Sequence, residues 1–179
     1  MRSLTLLLLT LVVTALSSAH AMVYFSKEEA FEIAFGKGAE IVEHPVYLTD
    51  EQTADIEKLS QVKLDSQLVT FYEGHQKGQL IGYAVIDSHT VRTQPETFLM
   101  VLSPKGDLVR YEILAFHEPP EYKPSAAWLQ HLVGHPMADL KVNQGIDGIA
   151  GATLSCRAAL NGIRKTLAIY QLALKNEVL

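Results

Sequence analysis

Four runs rich in β-branched and aromatic residues stand close together in the middle of the chain: Leu68–Glu73, Leu80–Ser88, Thr97–Leu102 and Leu108–Phe116. This spacing constrains the fold more than any other feature. A parallel pair needs a crossover of about a dozen residues or more, and every gap between these runs is shorter than that. Two gaps also carry turn chemistry, His75-Gln76-Lys77-Gly78 and Pro104-Lys105-Gly106-Asp107. Close spacing and short turns therefore favour an antiparallel meander over βαβ units. Helical signals lie on both sides of the meander. The class is α+β, an antiparallel sheet packed with helices.

Ser26-Lys27-Glu28-Glu29 is a capping box, with Ser26 as N-cap and Glu29 at the third helical position. It predicts a short amphipathic helix with Ala30, Phe31, Ala34 and Phe35 on its apolar side, ended by Gly36 and Gly38. A second box, Thr49-Asp50-Glu51-Gln52, predicts a helix to about Ser60, with Leu48 placed to staple back. Beyond the sheet, His117 to Asn143 reads as an irregular connection holding Pro119, Pro120, Pro124, Pro136 and Trp128, with a short helix over Ser125–Val133. Long ordered connections of this kind often carry function. The last segment is the clearest helix. Cys156, Leu160, Ile163, Leu167, Tyr170 and Leu174 fall on one stripe, and Arg157, Asn161, Arg164, Gln171 and Lys175 mark the other face. Gly162 interrupts it at a cost of roughly 1 kcal/mol against alanine, and nothing in the sequence accounts for it.

The chain has 179 residues, which suits one domain of ordinary size. With 15 Lys+Arg against 20 Asp+Glu its formal charge is −5. A mildly acidic chain without a basic cluster is a poor nucleic-acid binder. One cysteine, Cys156, excludes an internal disulfide, a multi-cysteine zinc site and cysteine-ligated iron–sulfur or c-type haem attachment. Its place on the apolar stripe marks it as a small buried residue. The first residues stand apart. Arg2, the apolar run Leu4–Leu16 and Ala19-His20-Ala21 form the three regions of a secretory signal peptide, with cleavage expected after Ala21. The expected organisation is a signal peptide over 1–21 and one domain over 22–179. The expected location is periplasmic or otherwise extracytoplasmic. An uncleaved amino-terminal membrane anchor is the alternative.

Chemistry concentrates in Gly145-Ile146-Asp147-Gly148-Ile149-Ala150-Gly151-Ala152-Thr153-Leu154-Ser155-Cys156, which runs directly into the last helix. Ala150, Gly151 and Ala152 clear space beside the backbone, and Thr153 puts a hydroxyl at the first turn. Free amides and the helix dipole favour a phosphate there. Thr153 could hold it non-covalently or be esterified to it. Asp147 would repel a bare phosphate at close range, so it reads as a residue recognised by a modifying enzyme, a turn-former or a metal ligand. The plain alternative is tight packing, with Thr153 or Ser155 as N-cap.

The string Asp147-Gly-Ile-Ala-Gly-Ala-Thr153-Leu-Ser155 resembles the flavinylation motif of the FMN-binding domain family, which includes the periplasmic flavin subunits of the Rnf and sodium-pumping NADH:quinone reductase complexes. The likeness extends to Gly82–Leu114 as the family's sheet, and to His117-Glu118-Pro119 followed by Tyr122 and Trp128. It implies FMN joined by a phosphoester bond to Thr153, made by an extracytoplasmic, magnesium-dependent flavin transferase with FAD as donor, for which Asp147 is part of the recognition motif. It implies electron transfer with membrane oxidoreductases or cytochromes as partners, rather than a stand-alone enzyme. Ala150 replaces the usual serine or threonine, and Ser155-Cys156 replaces a common Thr-Ser. Neither change removes the acceptor hydroxyl; Ala150 bears on the efficiency of modification. Two other classes stay open: a non-covalent flavin-dependent reductase of a small molecule, and a flavin-free binding module.

The candidate cofactor-binding set is therefore Thr153, Asp147, Gly151, Ala152, Ser155, Glu118, Tyr122 and Trp128. Tyr122 and Trp128 could stack on a flat ring, or only anchor a loop. Glu118 could hydrogen-bond the flavin, or be a solvated loop carboxylate, the commoner role. Arg92 and Lys141 could pair with phosphate or lie in solvent. His131 and His135 have ligand spacing, but Gly134 and Pro136 oppose a continuous helix, so no metal site is expected. No nucleophile elbow of the G-x-S-x-G type is present.

Overall fold

The computed structural model describes residues 22–175. The signal-peptide expectation for 1–21 lies outside them. In chain order the elements are β1 (Met22–Val23), α1 (Lys27–Phe35), β2 (Glu40–Tyr47), α2 (Asp50–Ser60), β3 (Leu68–Gln76), β4 (Gln79–Thr90), β5 (Pro95–Leu102), β6 (Leu108–Phe116), α3 (Ala126–His131) and α4 (Thr153–Ile169). A π-helical turn, Tyr170–Leu174, continues α4. The strands form one six-stranded sheet in the order β1-β6-β5-β4-β3-β2, antiparallel throughout. The α+β meander is as expected, and two strands join it that the sequence did not announce. β2 reads poorly as a strand because Pro45 and three charged or histidine positions interrupt it. As the outer edge it needs only one hydrogen-bonded side, which is where proline is tolerated. β1 is two residues long and closes the opposite edge. The β3–β4 turn is also tighter than expected. β3 runs on through Gln76, and only Lys77 and Gly78 turn, both at positive φ.

Both capping boxes form. Ser26 Oγ accepts from Glu29 N at 3.2 Å while Glu29 Oε2 accepts from Ser26 N at 2.8 Å. Thr49 and Gln52 repeat the pattern at 3.1 and 2.9 Å. These caps fix where α1 and α2 begin, and hence which sheet face each can reach.

The sheet buries both faces unequally. One face packs under α2, α4 and the 117–147 connection, with Phe71, Phe98, Met100, Leu102, Ile113 and Leu160 fully buried. The other carries α1 alone, over Ala84, Leu99, Val101 and Leu114. Alternation along β5 sorts the two sets: Glu96, Phe98, Met100 and Leu102 point to the α4 side, Leu99 and Val101 to α1. α1 is seated by Phe35. Gly74 and Gly82 are cross-strand partners on β3 and β4. Together they leave a notch under the Phe35 ring, where a Cβ at Gly74 would run into that ring.

Gly74→Ala is therefore expected to lower stability by about 1–3 kcal/mol through overpacking. In a Phe35→Leu background the same change should cost clearly less. Denaturant unfolding of the four proteins of this cycle measures the coupling, and strictly additive costs would contradict the notch.

Candidate functional site

The motif forms a turn-rich bridge between the connection and α4. Asn143 N donates to Ile146 O (2.9 Å), Ile146 is buried, and Ala152 N donates to Ile149 O (3.0 Å). Gly151 has φ +86°, in the left-handed region, yet a Cβ there would meet nothing within 4 Å. The demand for glycine is thus conformational, and the space beside it is open.

α4 starts at Thr153 with Ala152 as its N-cap. Alanine has no side-chain acceptor, so no side chain caps this helix. The expectation that Thr153 or Ser155 might serve as N-cap is corrected: Thr153 is already the first helical residue, and Ser155 lies deeper in the first turn. This uncapped start is the one helix beginning among α1 to α4 without a capping side chain. Its first-turn amides and the positive end of the dipole are left for solvent or an anion.

Thr153 is exposed, and its Oγ1 donates to Ile149 O at 3.3 Å. Asp147 is exposed too. Ala152 is buried. Ser155, in the candidate cofactor-binding set, does not present its hydroxyl at the surface. It is 1% exposed and its Oγ has no hydrogen-bond partner among the described residues. Cys156 is buried, and burial raises its thiol pKa, which keeps it protonated.

Trp128 belongs to the site through the backbone. Ser125 caps α3, and the Trp128 indole Nε1 donates to Asp147 O at 2.7 Å. The connection thereby holds the motif from outside. Tyr122 and Glu118 are brought instead to the β4–β5 hairpin tip. The Arg92 guanidinium sits 4.6 Å from the Tyr122 ring centroid, within cation–π range. Glu118 is neither solvated nor directed at an open surface. Oε1 accepts the backbone N–H groups of Arg92 (3.0 Å), Thr93 (2.6 Å) and Gln94 (2.9 Å). The solvated-loop expectation is corrected by that clasp: a buried carboxylate replaces the hydrogen bonds that a tight tip cannot make to itself. The Thr93 N–H, with its two neighbours, holds the Glu118 carboxyl below the usual carboxylate range. His131 and His135 stack edge to face at 5.1 Å. Among the described residues no group of three His, Cys, Asp or Glu side chains is placed to hold a metal.

A cavity of about 250 Å³ opens beside the motif, lined among others by His89, Val91, Leu154, Arg157, Asn161 and Gly162. Leu154 follows Thr153 directly. Arg157 lies one turn on from Thr153, and helical side chains lean toward the N-terminus. It makes no ion pair or hydrogen bond among the described residues. The cavity floor explains Gly162. A Cβ there would meet Phe98 Cζ at 3.3 Å and His89 Nδ1 at 3.6 Å. His89 stacks on Phe98 at 5.0 Å, and Phe98 on Tyr111 at 5.1 Å. Beneath them Glu96 is fully buried, 3.3 Å from His89 Nε2 and 3.0 Å from the Tyr111 hydroxyl. Burial, then the Glu96 carboxylate, push the Tyr111 pKa well up, so Tyr111 stays a donor. Sequence reasoning missed this floor. Its one signal was Glu96, in phase with Phe98, Met100 and Leu102 on an inward-facing strand.

Replacing Glu118 with Gln should loosen the hairpin tip and cost about 1.5–3 kcal/mol, since bonds to a charged acceptor are lost. The sign with pH follows from a folded pKa below the unfolded value. The contribution is fully present above the ordinary carboxylate pKa and is lost as pH falls through the folded one. Urea unfolding at pH 7 and pH 3 should show a larger difference between wild type and Glu118→Gln at pH 7.

Comparison with known families bears on the part of this region from Thr93 onward. Residues 93–168 match the family described as FMN-binding domain. The match begins at the tip that Glu118 clasps and includes β5, β6, the connection, the motif and all but the last residue of α4. No curated protein matches the chain. The uncapped helix start, the open space at Gly151 and the exposed Thr153 hydroxyl fit a flavin phosphate. Over residues 93–168 the chain is similar to the FMN-binding domain family, and that match supports a flavin-binding protein.

Proposed function

We propose that the chain is an exported electron carrier whose FMN is esterified through its phosphate to Thr153. One observation carries the reading: α4 begins with an exposed threonine hydroxyl and no capping side chain, directly after an open glycine turn. A phosphate there meets unpaired amides and the helix dipole. The side chains divide the work. Thr153 supplies Oγ1, which must leave its 3.3 Å bond to Ile149 O. Arg157 supplies a cation one turn along. Asp147 is exposed for a maturing enzyme, while its carbonyl, held by Trp128, fixes the loop that enzyme reads. Glu118 and the Arg92–Tyr122 pair set the hairpin tip.

The ester forms between Thr153 Oγ1 and the FMN phosphorus, with FAD as donor and AMP leaving, catalysed by a flavin transferase. Bound FMN supplies one- and two-electron redox chemistry through a ring that attachment at the phosphate leaves unmodified. The covalent bond removes the dissociation equilibrium, which matters for a cofactor outside the cytoplasm. Export rests on the signal-peptide pattern over 1–21, and the domain then spans 22–179. Membrane oxidoreductases and cytochromes are the partner classes that this reading requires.

Intact-mass measurement after co-expression with a flavin transferase tests it. Wild type should gain FMN less one water, and Thr153→Ala should gain nothing while keeping its melting temperature, since Thr153 is exposed. Tightly held flavin that denaturation releases would favour the non-covalent reductase. A colourless wild-type protein beside an active transferase would overturn the proposal.

A further inference from the structure

A cavity of about 530 Å³ lies at the other end of α4, between the β5–β6 turn, the Gly134–Met137 loop and the helix end. That volume falls within the range of small-molecule sites, about 300–1,000 Å³. Thr153 and Tyr170 are separated by roughly 25 Å along the helix, at 1.5 Å per residue, so this cavity is separate from the motif. Its walls include the apolar side chains Leu108, Met137 and Leu167. Its floor is fixed: Tyr170 OH donates to Pro104 O at 3.1 Å, and Gly106 lies so close to the Tyr170 ring that no Cβ fits.

The charge around it runs against the chain as a whole. The protein carries five more acids than bases, yet this cavity is flanked by Lys105 and Lys175. Neither lysine ammonium has a hydrogen bond or ion pair among the described residues. The one acid in the lining, Asp107, accepts the Ser103 hydroxyl at 3.1 Å, and two lysines against this one carboxylate leave the lining net positive. An apolar hollow with unpaired cations at its rim complements one chemistry, an anionic head on an apolar body. We propose that this cavity binds a small organic anion with an apolar, flat or short body, bearing a carboxylate, sulfonate or phosphate. The inference does not depend on flavin attachment.

The test titrates the purified protein with 8-anilinonaphthalene-1-sulfonate, and in parallel with N-phenyl-1-naphthylamine, which lacks the sulfonate. The sulfonate should bind saturably with one-to-one stoichiometry, and the neutral analogue at least tenfold more weakly. Amide shifts should centre on Gly106 and Gly134. Lys105→Glu with Lys175→Glu should weaken sulfonate binding at least tenfold, and the Gln pair by less, with unchanged melting temperatures because both lysines are exposed. Equal affinity for the neutral analogue would overturn the proposal. So would wild-type affinity in the double variant, absence of saturation, or shifts centred on Leu154 and Gly162.

Discussion

The burial of α4 against the sheet is the interaction on which the rest depends. Cys156, Ala159, Leu160, Ile163, Ala168 and Ile169 are all buried, and so are Gly162, Arg164 and Thr166. The helix is covered by the sheet, by α2 and by the 117–147 connection. Each fully buried aliphatic side chain contributes roughly 1.5–3 kcal/mol, so its position is firmly set. An exposed reactive hydroxyl needs such an anchor. Thr153 stands exposed at the end of a rigid element, in an uncapped first turn whose Ser155 and Cys156 are buried.

Polar groups inside the molecule are used as fasteners. Glu118 gathers a hairpin tip, Trp128 reaches the motif carbonyl, and Glu96 accepts from the Tyr111 hydroxyl under α4. Buried charge is costly unless it is paired; the Glu118 carboxylate takes its donors from the hairpin tip, while Glu96 takes the Tyr111 hydroxyl on Oε1 and has no partner on Oε2 among the described residues. The same logic places the glycines. Gly162 gives up helix propensity so that His89 and Phe98 can lie flat beneath it, and Gly74 with Gly82 gives up strand propensity to seat Phe35.

Much of this was legible in the residues. The meander follows from run spacing, the two capping boxes from local hydrogen-bond chemistry, and α4 from its 3.6-residue period. The motif stood out because small residues before a helix are few and ordered. β2 was not legible, since Pro45 and Glu43 fit a strand only at an edge, and edges are decided by what pairs with what. Arg164 was assigned to the polar face by period alone, yet it is buried, with Nη2 on Asn161 Oδ1 at 2.6 Å. A helix covered on several sides has no broad polar face, and period cannot reveal how many neighbours a helix has.

The sequence by itself determined the local structures and the chemistry available: where helices start, which strands are adjacent, and that a hydroxyl follows a glycine turn. These depend on contacts within a few residues. Tertiary structure alone decided the environments. It turned Ser155 inward and Glu118 into a clasp, put Glu96 under α4, and left the lysine ammonium groups at the far cavity without partners among the described residues. Those outcomes depend on residues distant in the chain meeting in space, and burial and charge pairing are properties of that meeting.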